Sequence, residues 1–214
     1  TAGARLVRAA IEQHPGTHWI ALGTPAAEEA HARLARHGYA PLPLLQLEQV
    51  CDTGTEKHLA RFAVVRVTPQ AMPESHLQFV EQMTPRCLWR APWLAHASGA
   101  SGLRCAFVVA DDPADVAARY GHFAGLLPQP VRGFVRLSMA HGEIYVGSEA
   151  ACKALFGAVP TAPPAMAGYG LMCREPEAAY IRDREVANFC AHFDFNNADA
   201  PRAQQDVTAA KAKL

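Results

Sequence analysis

The 214-residue chain predicts an α+β fold built from repeated β-α-β-β-β units. Two observations lead there. A strand, a capping residue, a proline and an amphipathic helix occur in that order three times. After the first helix, three more strand-like segments follow before the next such junction. Half the residues are apolar and the formal net charge is zero, enough core for one large domain or two small ones.

The clearest copy runs from 102 to 125. Leu103 to Ala110 is a short apolar run rich in Val and Phe, so it reads as a strand buried on both faces. Asp112 stands at the N-cap, where a carboxylate accepts free backbone N–H groups. Pro113 at the first helical position loses nothing, because its N–H would have no partner there. Val116, Ala117, Tyr120, Phe123 and Ala124 form one apolar face, and Gly125 supplies the left-handed stop.

Upstream, residues 18–23 are the strand, Thr24 the cap, Pro25 the first helical residue and Gly38 the stop, with Ala27, Ala30 and Leu34 facing inward. Strands follow at 42–50, 58–68 and 76–82, separated by the turn 52–55 and by the break Met72-Pro73-Glu74. The first unit is therefore β-α-β-β-β. Residues 84–101 form a loop carrying Trp89 and Trp93, two aromatic rings suited to line a pocket. In the second unit, strands at 131–139 and 143–147 flank the turn 140–142, and a short helix is expected at 149–156. A strand between 126 and 131 is poorly marked.

The third copy has its strand at 168–173. Glu175 and Pro176 open its helix, whose inward residues are Ala179, Tyr180, Val186 and Ala187, and another strand is expected near 191–195. Three aligned junctions indicate an internal repeat. The expected division is a remnant helix at 1–16, a first module at 17–101, a shorter second at 102–158, a partial third at 159–195 and a polar tail at 196–214.

Several function classes drop out. Basic residues form no stripe for nucleic acid, and no apolar run approaches the ~20 residues that span a bilayer. The six cysteines show no CxxC pairing, which suits a reducing, cytoplasmic setting. Nucleophile elbow, Walker loop, H-E-x-x-H and G-x-G-x-x-G patterns are all missing. Cys87 has Arg86 beside it, but no positioned base accompanies the thiol.

The segment RFAVVRVTPQAMPESHLQFVEQMTPRCLW, followed by AHASGASGL and VVADDPADVAARY, resembles the glyoxalase-like proteins of bacteria, within the vicinal oxygen chelate superfamily. The resemblance covers about residues 17–190. It implies that the modules pair, with curled mixed sheets around a shared cleft that holds a divalent metal. The metal would chelate neighbouring substrate oxygens and stabilise a developing oxyanion. The ligands implied come from first and last strands: His18, six residues before Thr24, and His76, Gln78 and Glu81. Alternation puts His76 and Gln78 on one face and Glu81 on the other. The offset of His18 falls on Ala106 in the second unit and on Tyr169 in the third, neither a usual ligand. Glu143 is the second unit's last-strand candidate and, with Trp89 and Trp93, a candidate for ligand contact.

The resemblance implies a protein acting on a small oxygenated metabolite through a divalent metal, of isomerase, lyase or dioxygenase type. Because the ligand set is incomplete, two explanations stand: a preceding module carries the rest, or the metal has been lost. The alternative functions are a metal-free small-molecule binding or sequestration protein and an assembly role. The expected partners are a small-molecule ligand and a second copy in a homodimer. A ferredoxin-like arrangement, with a flat sheet under its helices, is the competing fold.

Overall fold

The computed structural model describes residues 8, 12, 17–52, 56–89, 99–157, 159 and 163–173. These residues fall into two units, one of them spanning His18–Leu94. Trp93, the helix and strand expected within 175–195, the 196–214 tail and nearly all of the 1–16 helix lie outside the described residues. No helix among the described residues is long and apolar enough to cross a membrane.

The first unit contains β1 (Trp19–Gly23), α1 (Ala27–Arg36), β2 (Leu45–Asp52), β3 (Lys57–Arg66) and β4 (His76–Gln82). The sheet order is β1-β4-β3-β2. β1 runs parallel to β4, and the other neighbours are antiparallel. Helix α1 packs on β3 and β4 and buries Ala27, Ala30 and Leu34. Beneath it lie Leu77 and Phe79 of β4, both buried, and the Arg33 guanidinium stands 5.3 Å from the centre of the Phe79 ring. Burial of that apolar stripe is what fixes the helix to this face.

The second unit repeats the plan with β5 (Ala100–Val109), α2 (Pro113–Ala124), β6 (Gln129–Val131), β7 (Phe134–Met139) and β8 (Gly142–Gly147). Helix α3 (Glu149–Phe156) and β9 (Ala165–Cys173) complete it. The order β6-β7-β8-β5-β9 is that of the first sheet with one strand added, and β5 and β8 are again parallel. Helix α2 buries Val116, Ala117, Tyr120 and Phe123 against β7 and β8. The opposite face holds Phe107, Phe134 and Tyr145. Cys152 of α3 is buried among them and Phe156 packs against them, its ring edge-on to Phe107 at 5.0 Å.

The α2 cap is as expected: Asp112 Oδ1 accepts from the N–H groups of Ala114 (3.1 Å) and Asp115 (3.0 Å), and Gly125 is left-handed at φ 74°. The α1 start differs. Pro25 precedes the helix, and Thr24 Oγ1 accepts only from Ala26 N–H at 3.3 Å. The helix opens at Ala27, whose N–H donates to Glu81 Oε2 at 2.8 Å. Its capping carboxylate thus comes from β4, 54 residues away.

Two other expectations change. The poorly marked strand between 126 and 131 is β6, and Arg132 and Gly133, at φ 46° and 83°, turn the chain into β7, which starts at Phe134 rather than Val131. Positive φ at both central positions makes the tight hairpin turn whose twist suits the strands. Arginine hides that turn, since Asn or Asp is the usual signal there. The strand expected at 168–173 begins at Ala165 and lies antiparallel along β5, Cys105 opposite Gly170. A side chain at Gly170 would meet the Cys105 sulfur at 2.7 Å, so glycine permits the pairing.

Candidate functional site

The two sheets can be superposed in register by their own hydrogen bonds. Thr24 N–H donates to Val80 O, and Ala110 N–H to Gly147 O. Counting back along each parallel pair, His76 corresponds to Glu143, Gln78 to Tyr145, and Trp19 to Cys105. Across the next strand, Arg66 opposite Gln78 corresponds to Arg136 opposite Tyr145. The residue that matches His18 is therefore Arg104, two places before the Ala106 given by sequence offset. The offset failed because α1 opens two residues after Pro25, whereas α2 opens on Pro113 itself.

Alternation along the strands puts Trp19, His76, Gln78 and Arg66 on the sheet face away from α1. The Trp19 and His76 rings stack, with centroids 4.7 Å apart. His18 presents its ring edge to Trp19 at 5.8 Å, and its backbone oxygen accepts from His76 N–H at 2.9 Å. Burial, and then the neighbouring charge of His18, hold the His76 imidazole below its ordinary 6.5. Arg66 Nε is buried and meets no acceptor among the described residues. Among the described residues, the ion pairs Lys57–Asp52, His58–Glu56 and Arg61–Glu48 gather at the β2–β3 end of this sheet and the first half of β3, whereas Arg66 is the last residue of β3.

The matching positions of the second sheet are occupied differently. The Glu143 side chain is only 11% exposed. It accepts from the Tyr145 hydroxyl at 2.8 Å and pairs with Arg104 at 3.4 Å and Arg136 at 3.6 Å. Arg136 also donates to Gln129 Oε1 at 2.7 Å. Burial and the Glu143 carboxylate, in that order, push Tyr145 up well above its ordinary range. The same two causes carry the Cys105 thiol up to about 12. In this cluster one carboxylate is shared by two guanidiniums while the thiol and phenol stay protonated, and α3 packs on the same face.

The residues proposed from sequence are thus partly assembled. His18 and His76 stand together, with Gln78 on the same face as His76. Glu81 is on the opposite face, committed to Ala27. Trp89 is exposed and donates its indole N–H to Gln82 Oε1 at 2.8 Å. Gln82 ends the strand that His76 begins, so Trp89 is anchored roughly 20 Å from His76 at ~3.3 Å per residue. Glu143, the second unit's candidate, is the hub that joins Arg104, Arg136 and Tyr145. Among the described residues no three His, Cys, Asp or Glu side chains gather to hold a cation. The two imidazoles and the Gln78 amide are neutral donors of kinds that divalent transition metals accept, and no carboxylate joins them among the described residues.

Sequence reading missed Arg66 and Arg136. The signal was a short echo: Arg-Val-Thr at 66–68 and Arg-Leu-Ser at 136–138, with Arg66 closing β3 and Arg136 within β7.

The comparisons agree with this architecture. No curated protein matches the chain. The chain is similar to the crystal structure of a hypothetical protein from Staphylococcus aureus, at 10% identity and a TM-score of 0.50. The match covers 61% of this chain and 52% of that one, so this chain spans about half the length of its solved neighbour, and the likeness concerns the fold alone. A family model described as glyoxalase-like domain matches residues 1–124, which include all of the first sheet together with β5 and α2. With its β-α-β-β-β order realised in two mixed sheets, the chain belongs to the glyoxalase-like domain family of the vicinal oxygen chelate superfamily.

Proposed function

We infer that this protein acts on a small oxygenated metabolite held against the first sheet, on the face bearing Trp19, Arg66, His76 and Gln78. One observation carries the reading. Matching positions in the two sheets are polar, yet only in the second does a carboxylate meet them, with Glu143 engaging Arg104, Arg136 and Tyr145. In the first, the Arg66 guanidinium meets no carboxylate among the described residues, and its Nε, like that of Arg136, is buried without an acceptor. Buried donors left unpaired cost free energy that a ligand oxygen recovers. His76, held toward its neutral form, offers one ring nitrogen as acceptor and the other as donor. Family membership supports isomerase, lyase or dioxygenase chemistry on such a metabolite.

The test is turnover and binding by the purified chain, followed by proton NMR, against small carbonyl, hydroxy and enol-forming metabolites. It is run with and without added Mn²⁺, Fe²⁺ or Zn²⁺, and elemental analysis accompanies each sample. At least one compound is expected to be consumed or bound, and His76→Ala to lower that response by about tenfold or more. No response to any compound under either condition would overturn the reading.

A further inference from the structure

We propose that Arg66 is an anchor for a carboxylate, and that the first sheet's site takes small carboxylate monoanions whose apolar body lies against Trp19. This deepens the function proposed above and rests on it.

Arg66 and Arg136 occupy the same place in the two units, each directly opposite the central polar residue of the last strand. In both the Nε is buried without an acceptor. Their terminal nitrogens part company. Those of Arg136 are taken up by Glu143 and Gln129, so its charge is spent within the sheet. Among the described residues Arg66 has no such carboxylate, and none of the residues that register places on its face of the sheet is Asp or Glu. The second unit therefore shows what the first lacks: an oxygen pair facing the guanidinium.

The geometry selects the ligand. A guanidinium offers a planar fork of donors that matches a carboxylate in two parallel bonds. Gln78, directly across the strand pair, lies within the ~5 Å that separates opposed side chains at their base and can donate to or accept from a further ligand oxygen. Two residues along the same strand, His76 is stacked on Trp19, a flat apolar wall for the remainder of the molecule. One fixed positive charge and no fixed negative one favour a monoanion over a phosphate dianion.

The test uses the full chain and defined probes: benzoate, its uncharged analogues benzamide and benzaldehyde, acetate and inorganic phosphate. Binding is read by ligand-observed NMR and by the shift in Tm. Benzoate is expected to bind the wild type more tightly than benzamide, benzaldehyde or phosphate do. Arg66→Gln should weaken benzoate by about tenfold or more while leaving benzamide unchanged, in keeping with loss of a charged hydrogen-bond pair. Arg61→Gln, which removes an exposed pair with Glu48, should bind benzoate as the wild type does. Should Arg66→Gln not fold, Arg66→Lys keeps the charge without the fork and is expected to show the same loss in lesser degree. Equal binding of benzoate by wild type and Arg66 variants, or benzamide and benzaldehyde binding as tightly as benzoate, would overturn the carboxylate assignment while sparing the small-metabolite reading. Failure of every probe to bind would also overturn the carboxylate assignment; the small-metabolite reading falls only if the wider metabolite panel is silent as well.

Discussion

His76 shows how a single side chain reports its surroundings. Burial, and then His18, lower its proton affinity from the ordinary 6.5. The unfolded chain takes up that proton near pH 6.5 and the folded chain only further down. The stability tied to neutral His76 is therefore present above pH 6.5, falls as the pH drops below it, and levels off beneath the folded value. Thermal melts of wild type and His76→Gln from pH 8 to 5 should show a shallower decline for the variant. Its position at the start of the last strand was legible, because Met72-Pro73-Glu74 marks the break and alternation resumes at His76. The role of Arg66 was not, since arginine near a strand end is ordinary and only the second copy gives it meaning. Glu81 was a possible ligand because the resemblance implies last-strand donors; alternation already set it on the face opposite His76, but not the helix end it meets there.

Between elements, the decisive contact is the one from β4 to the start of α1. A carboxylate accepting from a first-turn N–H also answers the positive end of the helix dipole. Glu81→Ala is expected to destabilise the protein by about 1–2 kcal/mol. Thr24→Ala, which removes only a 3.3 Å bond to Ala26, should cost less, and urea unfolding midpoints distinguish the two. Local chemistry was readable wherever it was self-contained: Asp112-Pro113, Gly125 and the inward stripes of α1 and α2 all stand where their residue types place them. It was unreadable where the partner is distant in sequence. Nothing near Ala27 announces a cap 54 residues on, and nothing in residues 165–173 says that they flank β5 rather than open a sheet of their own. Arg132 in a left-handed turn concealed the short strand before it.

Across the molecule, one plan has been used twice and turned to different ends. The duplication yields opposite expectations at matched positions. Arg136→Gln breaks the link to a Glu143 carboxylate that is only 11% exposed and should cost about 1–3 kcal/mol. Arg66→Gln removes no pairing seen among the described residues and should change stability by less than about 0.5 kcal/mol. Chemical unfolding of the two variants side by side checks the contrast. The repeat itself was visible in the sequence, because strand–cap–Pro–helix junctions recur. Which copy left its arginine without a carboxylate was not, because that depends on what the register brings near each guanidinium. The added strand β9 has a further implication for how the chain is made. All five elements of the first unit are available once residue 82 has left the ribosome. The second sheet must wait until residue 173, and through that interval of synthesis the outer rim of β5 has no neighbour. A nascent chain interrupted between those points offers an unzipped row of amides to any other extended peptide nearby, which makes residues 165–173 a built-in guard against mispairing as well as the sheet's last strand.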